Sequence, residues 1–462
     1  MHKPVVRGLR GMRYPRWAAV AVLAIISSAA VAKVPEDQAA RLGVELTPVG
    51  AEAGPSADGV IPAWNGGVTR PPACFTGTGG RYCDPYPDDL PLFVITAKNA
   101  EQYREHLSAG QLALLQRNPD TYRMPVYSTR RSFANPPAEY AASRTNALNA
   151  ELLANGEAIA GASLGVPFPI PSNGHEVIWN HKTRFRDVSV QRWRNQFAVA
   201  ASGDYNRTRL REDVLFNYSR SDIEPADRGD VLLYLLQVVT DPERLAGSVV
   251  LIHETMNPLD QERRAWQYSP GQRRLRRAPN LAYDNPLVGA DGLGTTDQND
   301  MFNGAMDRYE WKLIGKQTLY VPANSYRLHD DRRRYPDIVQ RNHLAQDLTR
   351  YELRRVWVVE ATLRPNTIHQ YRKRRFYVDE DGWQIRVVDV FDGRDHLWRV
   401  QEAHTVIAYD VPYELPICET VYDLQSNRYL VQALNNEDPE TVAMPFDVDH
   451  FAPGSVSRLA KN

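Results

Sequence analysis

The sequence predicts a mainly β protein in which one large, curved antiparallel sheet is packed with helices and preceded by an irregular arm. Three observations carry this prediction. Beyond about residue 175 apolar and polar residues alternate with a period of two almost to the C-terminus, the signature of strands with one buried face. Helix signals are confined to the stretch between about 92 and 175. Residues 33–91 are rich in Pro, Gly and Asp and keep no period, as in Gly50-Ala51-Glu52-Ala53-Gly54-Pro55.

The N-terminus reads as a signal peptide. Lys3, Arg7, Arg10, Arg13 and Arg16 precede an apolar run from Trp17 to Ile26, and Ala30-Val31-Ala32 supplies small residues at −3 and −1. The run is too short for a stable membrane anchor, so cleavage is expected after Ala32, with an uncleaved anchor as the alternative. The expected organisation is thus 1–32 as signal, 33–91 as arm, and 92–462 as helices plus sheet in one domain with the arm. The chain has 55 Lys and Arg against 56 Asp and Glu, and loss of five cations with the signal makes it mildly acidic. That balance argues against nucleic acid as a partner.

Cys74 and Cys83 flank the turn Thr76-Gly77-Thr78-Gly79-Gly80, which can bring the two sulfurs together; a disulfide is expected, in keeping with an oxidising compartment. Cys418 lies in an apolar stretch and reads as a buried, inert thiol. A first helix is predicted from the capping box Ser108-Ala109-Gly110-Gln111 through Leu112-Ala113-Leu114-Leu115, stopping before Pro119. A second runs from Pro136-Pro137 to Asn155-Gly156, with Pro at its start and Gly at its end.

Strand patterns follow. Tyr309, Trp311, Leu313, Leu319 and Val321 share one face, opposite Arg308, Glu310, Lys312 and Lys316. Leu353, Trp357, Val359, Ala361 and Leu363 oppose Glu352, Arg354 and Glu360. A hairpin turns at Asp381-Gly382, with Trp383, Ile385, Val387 and Phe391 on one side. Val231–Val239 is almost wholly apolar, which suits a strand covered on both faces or a buried helix. Arg263–Arg277 and Asp284–Asp300 read as long loops or irregular edges.

The apolar side of so large a sheet must be covered by helices or face a cavity. Trp179, Trp311, Trp357, Val359, Trp383 and Phe391 are therefore candidates to line a concave binding surface, with ordinary core packing as the alternative reading. Among the Arg clusters, Arg355 and Arg375 are candidates to meet a carboxylate or phosphate headgroup at its mouth, while an outward ladder paired with acids is the plainer reading.

Catalytic chemistry finds little support. Gly161-Ala162-Ser163-Leu164-Gly165 matches the nucleophile-elbow pattern, but the alternating prolines of Val166-Pro167-Phe168-Pro169-Ile170-Pro171 cannot open the helix an elbow requires. The histidines are scattered without metal-site spacing, although His175 and His181 could approach one another. Asp291–Asp300 is oxygen-rich without EF-hand order. No catalytic residue, metal ligand or cofactor is assigned.

Several segments resemble a known family. Leu46-Thr47-Pro48-Val49-Gly50-Ala51-Glu52, Asp58-Gly59-Val60-Ile61-Pro62-Ala63-Trp64, Ile178-Trp179-Asn180-His181, Asp300-Met301-Phe302-Asn303-Gly304, Arg354-Arg355-Val356-Trp357-Val358-Val359-Glu360-Ala361 and Lys373-Arg374-Arg375-Phe376-Tyr377-Val378-Asp379-Glu380-Asp381 are similar to strings in secreted bacterial proteins with a domain of unknown function 1329. The resemblance runs from about Leu42 to about Phe451. It implies a periplasmic protein with a LolA/LolB-like half-open barrel and helices on the concave side. It also implies the company of an RND-type inner-membrane exporter and an outer-membrane protein. A non-enzymatic carrier of a lipid or other hydrophobic molecule is the expected function, and a cargo-free adaptor between those membrane partners is the alternative.

Overall fold

The computed structural model describes residues 34–258, 260–278 and 284–459, with side chains up to Val456. The proposed signal peptide and its cleavage site lie outside the described residues. Among these residues one open sheet of 16 strands dominates. From edge to edge it runs Phe93–Ile95, Met124–Val126, Tyr351–Leu363, Lys373–Asp379, Ile385–Phe391, Leu397–Ala408, Tyr413–Asp423, Arg428–Leu434, Ser189–Val199, Tyr205–Leu215, Val231–Asp241, Val249–Thr255, Arg264–Ser269 and Arg274–Arg277. Tyr309–Pro322 also pairs with Tyr351–Leu363, and Val442–Ala443 with Ser189–Val199. The pairing of Arg428–Leu434 with Ser189–Val199 joins an early and a late meander into one sheet. Neighbours are antiparallel except for one parallel bridge, Tyr351 to Val126, and the edges do not close into a barrel.

Both faces are covered. In Tyr351–Leu363, Val356 and Val358 enter one apolar core while Val359 and Ala361 enter the other, as the period of two requires. Helix Gly174–Thr183 packs on the second face through Val177, Ile178 and Trp179. Helix Ala109–Arg117 packs on the first through Leu114 and Leu115, and its Gln111 Nε2 donates to Tyr320 O at 2.9 Å. These two helices thus lie on different faces of the sheet.

The predicted capping box forms: Gln111 N donates to Ser108 Oγ and Ser108 N to Gln111 Oε1, each at 3.1 Å. The second helix is shorter than predicted, ending at Asn149. Asn155-Gly156 is the turn of a small hairpin, Glu151–Leu153 with Ala158–Ala160, and Ala154, Asn155 and Gly156 all have positive φ. An Asn-Gly pair fits a tight hairpin turn as well as a helix end, and here the turn prevails. Arg264–Ser269 and Arg274–Arg277 form an ordered edge hairpin where loops or irregular edges were expected.

A bulge splits the face predicted for Tyr309–Val321. Leu313 pairs with Val359 and Gly315 with Val358, leaving Ile314 as the extra residue and Gly315 at φ 135°. Tyr309, Trp311 and Leu313 therefore join one core, whereas Leu319 and Val321 join the other. A second shift, between Tyr377 and Val378, likewise sends Val387 to the core opposite Trp383 and Ile385. One inserted residue exchanges the faces of everything beyond it.

The arm is tied to this body. Trp383 Nε1 donates to Val49 O at 3.0 Å, Trp64 Nε1 donates to Phe133 O at 3.1 Å, and Cys74 is bonded to Cys83. Cys418 is free and fully buried, and burial raises its thiol pKa well above the ordinary value.

Candidate ligand cavity

A cavity of about 150 Å³ opens where strands Ser189–Val199, Tyr205–Leu215, Val231–Asp241 and Val249–Thr255 carry residues that no helix covers. Its apolar floor is Leu210, Val214, Leu233, Leu235, Val250 and Ile252. These residues are neighbours by register: Val214 pairs with Leu235, and Leu235 with Ile252. Along Val231–Asp241, Tyr234, Leu236 and Val238 point the other way, into a core closed by Phe451 and Val456. Leu233 and Leu235 alternate with them and remain half-buried.

The roof comes from the loop after Asp284, through Pro286, Leu287, Val288, Asp300 and Phe302, and from residues at the end of helix Gly174–Thr183. Ion pairs hold this roof. Asp300 is clamped by Arg184 and Arg186, with Arg184 Nη1 donating to Asp300 Oδ2 at 2.9 Å. Burial alone would raise the Asp300 pKa, but the two guanidiniums hold it well below the usual carboxylate range. Nearby, Asp297 pairs with Arg374, and Gln196 Nε2 donates to Val288 O at 2.8 Å.

The charged lining is mostly matched. Arg192 Nε donates to Glu212 Oε2 at 2.7 Å; Arg194 lies 3.7 Å from Glu212 and 3.5 Å from Glu419. Against the cost of its burial, Arg194 and Arg192 keep Glu212 below its ordinary pKa. Arg263 Nε donates to Glu254 Oε2 at 2.5 Å. Lys182 is different. It is 6% exposed, donates to the backbone carbonyl of Gly304 at 3.2 Å, and stands 4.5 Å from the centre of the Trp179 ring. Burial lowers its pKa to about 8, the Glu254 charge resisting and the Arg263 charge adding to the fall.

The string from Trp179 to Lys182 now has an account. Trp179 Nε1 donates to Gly156 O at 2.9 Å and holds the small hairpin. Asn180 clamps Phe168 in both directions, accepting from its N–H at 2.9 Å and donating to its carbonyl at 2.7 Å. His181 is held at both ring nitrogens, Nδ1 lying 3.1 Å from Trp383 O and 3.3 Å from Ile385 N, and Nε2 lying 2.8 Å from Asp300 O. Complete burial keeps His181 neutral, lowering its pKa to about 3. These side chains position the roof, and Lys182 is the one that reaches the cavity wall.

None of the residues proposed from the sequence lines this cavity. Trp179, on helix Gly174–Thr183, is buried in one core with Trp311, Val359 and Trp383. Trp357 stacks on Trp383 at 6.4 Å with the Lys316 ammonium 4.7 Å over its ring, and Phe391 lies half-buried under Lys373. The reason is physical: the helix and the arm fill the space that these aromatics were expected to leave open. Arg355 Nη1 donates to Glu380 at 3.3 Å and Arg375 Nη2 to Glu360 at 2.6 Å, so the two headgroup candidates already have carboxylates. His175 and His181 share one helix, and Ser163 lies in an irregular stretch with no helix opening directly after it. The cavity residues did leave one trace in the sequence, the almost wholly apolar run Val231–Val239.

The model of the family described as "Protein of unknown function (DUF1329)" matches residues 94–457. The chain belongs to this family. It is 47% identical over 421 residues to "Uncharacterized protein PA3922" of Pseudomonas aeruginosa, covering 91% of this chain and 92% of that one. Among solved structures, a DUF1329 family protein from Desulfovibrio piger is similar at 13% identity and a TM-score of 0.42, over 61% of this chain and 97% of that one. A putative outer membrane lipoprotein-sorting protein domain from Vibrio parahaemolyticus is similar at 12% identity and a TM-score of 0.42, with the same shares. For the LolA superfamily protein NE2245 of Nitrosomonas europaea the values are 13% and 0.37, over 61% and 98%.

Proposed function

We propose that this DUF1329 protein is a periplasmic, non-enzymatic carrier that shields a lipid or other hydrophobic molecule between membranes. An RND-type exporter and an outer-membrane protein are its proposed partners. The observation that carries the reading is the cavity: six aliphatic side chains from three adjacent strands line its floor, beneath a roof made from one loop and the end of one helix. The signal-like N-terminus and the Cys74–Cys83 disulfide suit an oxidising compartment. Among the described residues no helix is long and apolar enough to cross a membrane.

Size sets the mode of action. A space near 150 Å³ accepts a molecule of about six carbon atoms. At about 0.8 kcal/mol per methylene, such a segment gains roughly 5 kcal/mol before ordering costs. That is a loose hold, suited to passing cargo on; a longer chain needs the roof to lift or a tail left outside. Leu235→Trp fills the floor and is expected to abolish calorimetric binding of 1-octanol while leaving the thermal unfolding midpoint near that of the parent. Unchanged octanol binding in the folded variant would contradict the assignment. A parent protein that takes up no apolar molecule, yet captures the exporter, would shift the reading to the cargo-free adaptor.

A further inference from the structure

The cavity wall and the groups paired with it carry six cations, Lys182, Arg184, Arg186, Arg192, Arg194 and Arg263, against four carboxylates, Asp300, Glu212, Glu254 and Glu419. Asp300 is engaged by Arg184 and Arg186, Glu254 by Arg263, and Glu212 by Arg192 and Arg194, the last of which also reaches Glu419. Lys182 has no carboxylate within 4.0 Å among the described residues, only the Gly304 carbonyl and the face of Trp179. An ammonium has three N–H donors, and a carbonyl takes one of them here. A buried ammonium without a direct ion pair is costly, and an anionic ligand group beside it relieves that cost.

Register places the apolar floor in the same cavity. Leu233 pairs with Glu254, whose ion-pair partner Arg263 stands on the cavity wall with Lys182, and Leu235 and Ile252 follow on the same face. A polar end and a hydrocarbon segment are thus both provided for.

Resting on the carrier reading, we infer that the cavity selects a singly anionic amphiphile, whose carboxylate or phosphodiester is received by Lys182 while the first carbons of its tail lie on Leu233, Leu235, Val250 and Ile252. Charge-assisted hydrogen bonding of this kind is directional, and a neutral or cationic head forgoes it.

Calorimetry with octanoate, 1-octanol and octylammonium on the full mature chain separates the cases. The expected order is octanoate about tenfold tighter than octanol, and octylammonium weakest. Lys182→Met, which keeps length and removes charge, is expected to erase the preference for octanoate while retaining octanol. Lys182→Arg is expected to restore it. Equal binding of all three ligands overturns the anion inference and leaves the carrier reading standing; binding of none overturns both. If Lys182→Met does not fold, the three-ligand order on the parent protein still decides. A lysophospholipid with a phosphodiester head, run beside octanoate, tells the two anion sources apart: competition by either supports the inference, and competition by neither overturns it.

Discussion

At the scale of single residues, the strongest constraints come from charges taken out of water. Glu402 is fully buried, accepting from Tyr351 Oη at 3.0 Å, Tyr122 Oη at 3.2 Å and Gln111 Nε2 at 3.3 Å, with no cation among these partners. Burial raises its pKa to about 7, the three hydrogen bonds offsetting only part of the effect. The folded state therefore holds this proton more tightly than the unfolded one. Below about pH 4.5 both states are protonated and Glu402 imposes no penalty; between 4.5 and 7 stability falls as pH rises, and above 7 the penalty is complete. Glu402→Gln is expected to gain on the parent by about 2–3 kcal/mol between pH 5 and pH 8, read from urea unfolding at each pH. A difference that is flat with pH contradicts the assignment. Residue identity alone did not disclose this role, nor that of Lys182. Burial and partners decide both, and they come from strands distant in sequence.

At the scale of elements, local chemistry was legible wherever one segment decides its own conformation. The Ser108 capping box and the pairing of Cys74 with Cys83 were both readable in this way. Loop closure predicts that replacing both cysteines by Ser costs about 2–3 kcal/mol, measured by denaturant unfolding. Octanol binding is expected to survive, because Phe75 and Tyr82 pack on Tyr409, in the core away from the cavity. Loss of binding together with stability would show that the arm and cavity are coupled. Alternation predicted the strands of 309–322 and 351–363 but not which residues share a face, because a one-residue bulge at Ile314 leaves the apolar pattern intact while exchanging sides. The candidate cavity aromatics failed for a related reason. A pattern of period two says that a face is apolar, not what lies over it, and helix Gly174–Thr183 lies over Trp311 and Val359.

At the scale of the whole molecule, the sheet is covered almost everywhere. Helix Gly174–Thr183 lies over one region, the loop after Asp284 over the next, helix Ala109–Arg117 over the opposite face, parts of the arm over both faces, and the C-terminal segment over the far end. The cavity is what remains where the helix ends and the loop crosses to strands Tyr205–Leu215 and Val231–Asp241. An open sheet built this way needs no barrel closure to enclose a ligand; the roof supplies the missing wall. A carrier requires that this space be occupied in the cell. Mass spectrometry of small molecules extracted from the natively purified protein, beside a control protein of the same compartment, tests it most directly. A hydrophobic molecule is expected in near-stoichiometric amount from the parent and depleted from Leu235→Trp. A parent protein that comes out empty, and stays empty after incubation with membrane lipids, would contradict it.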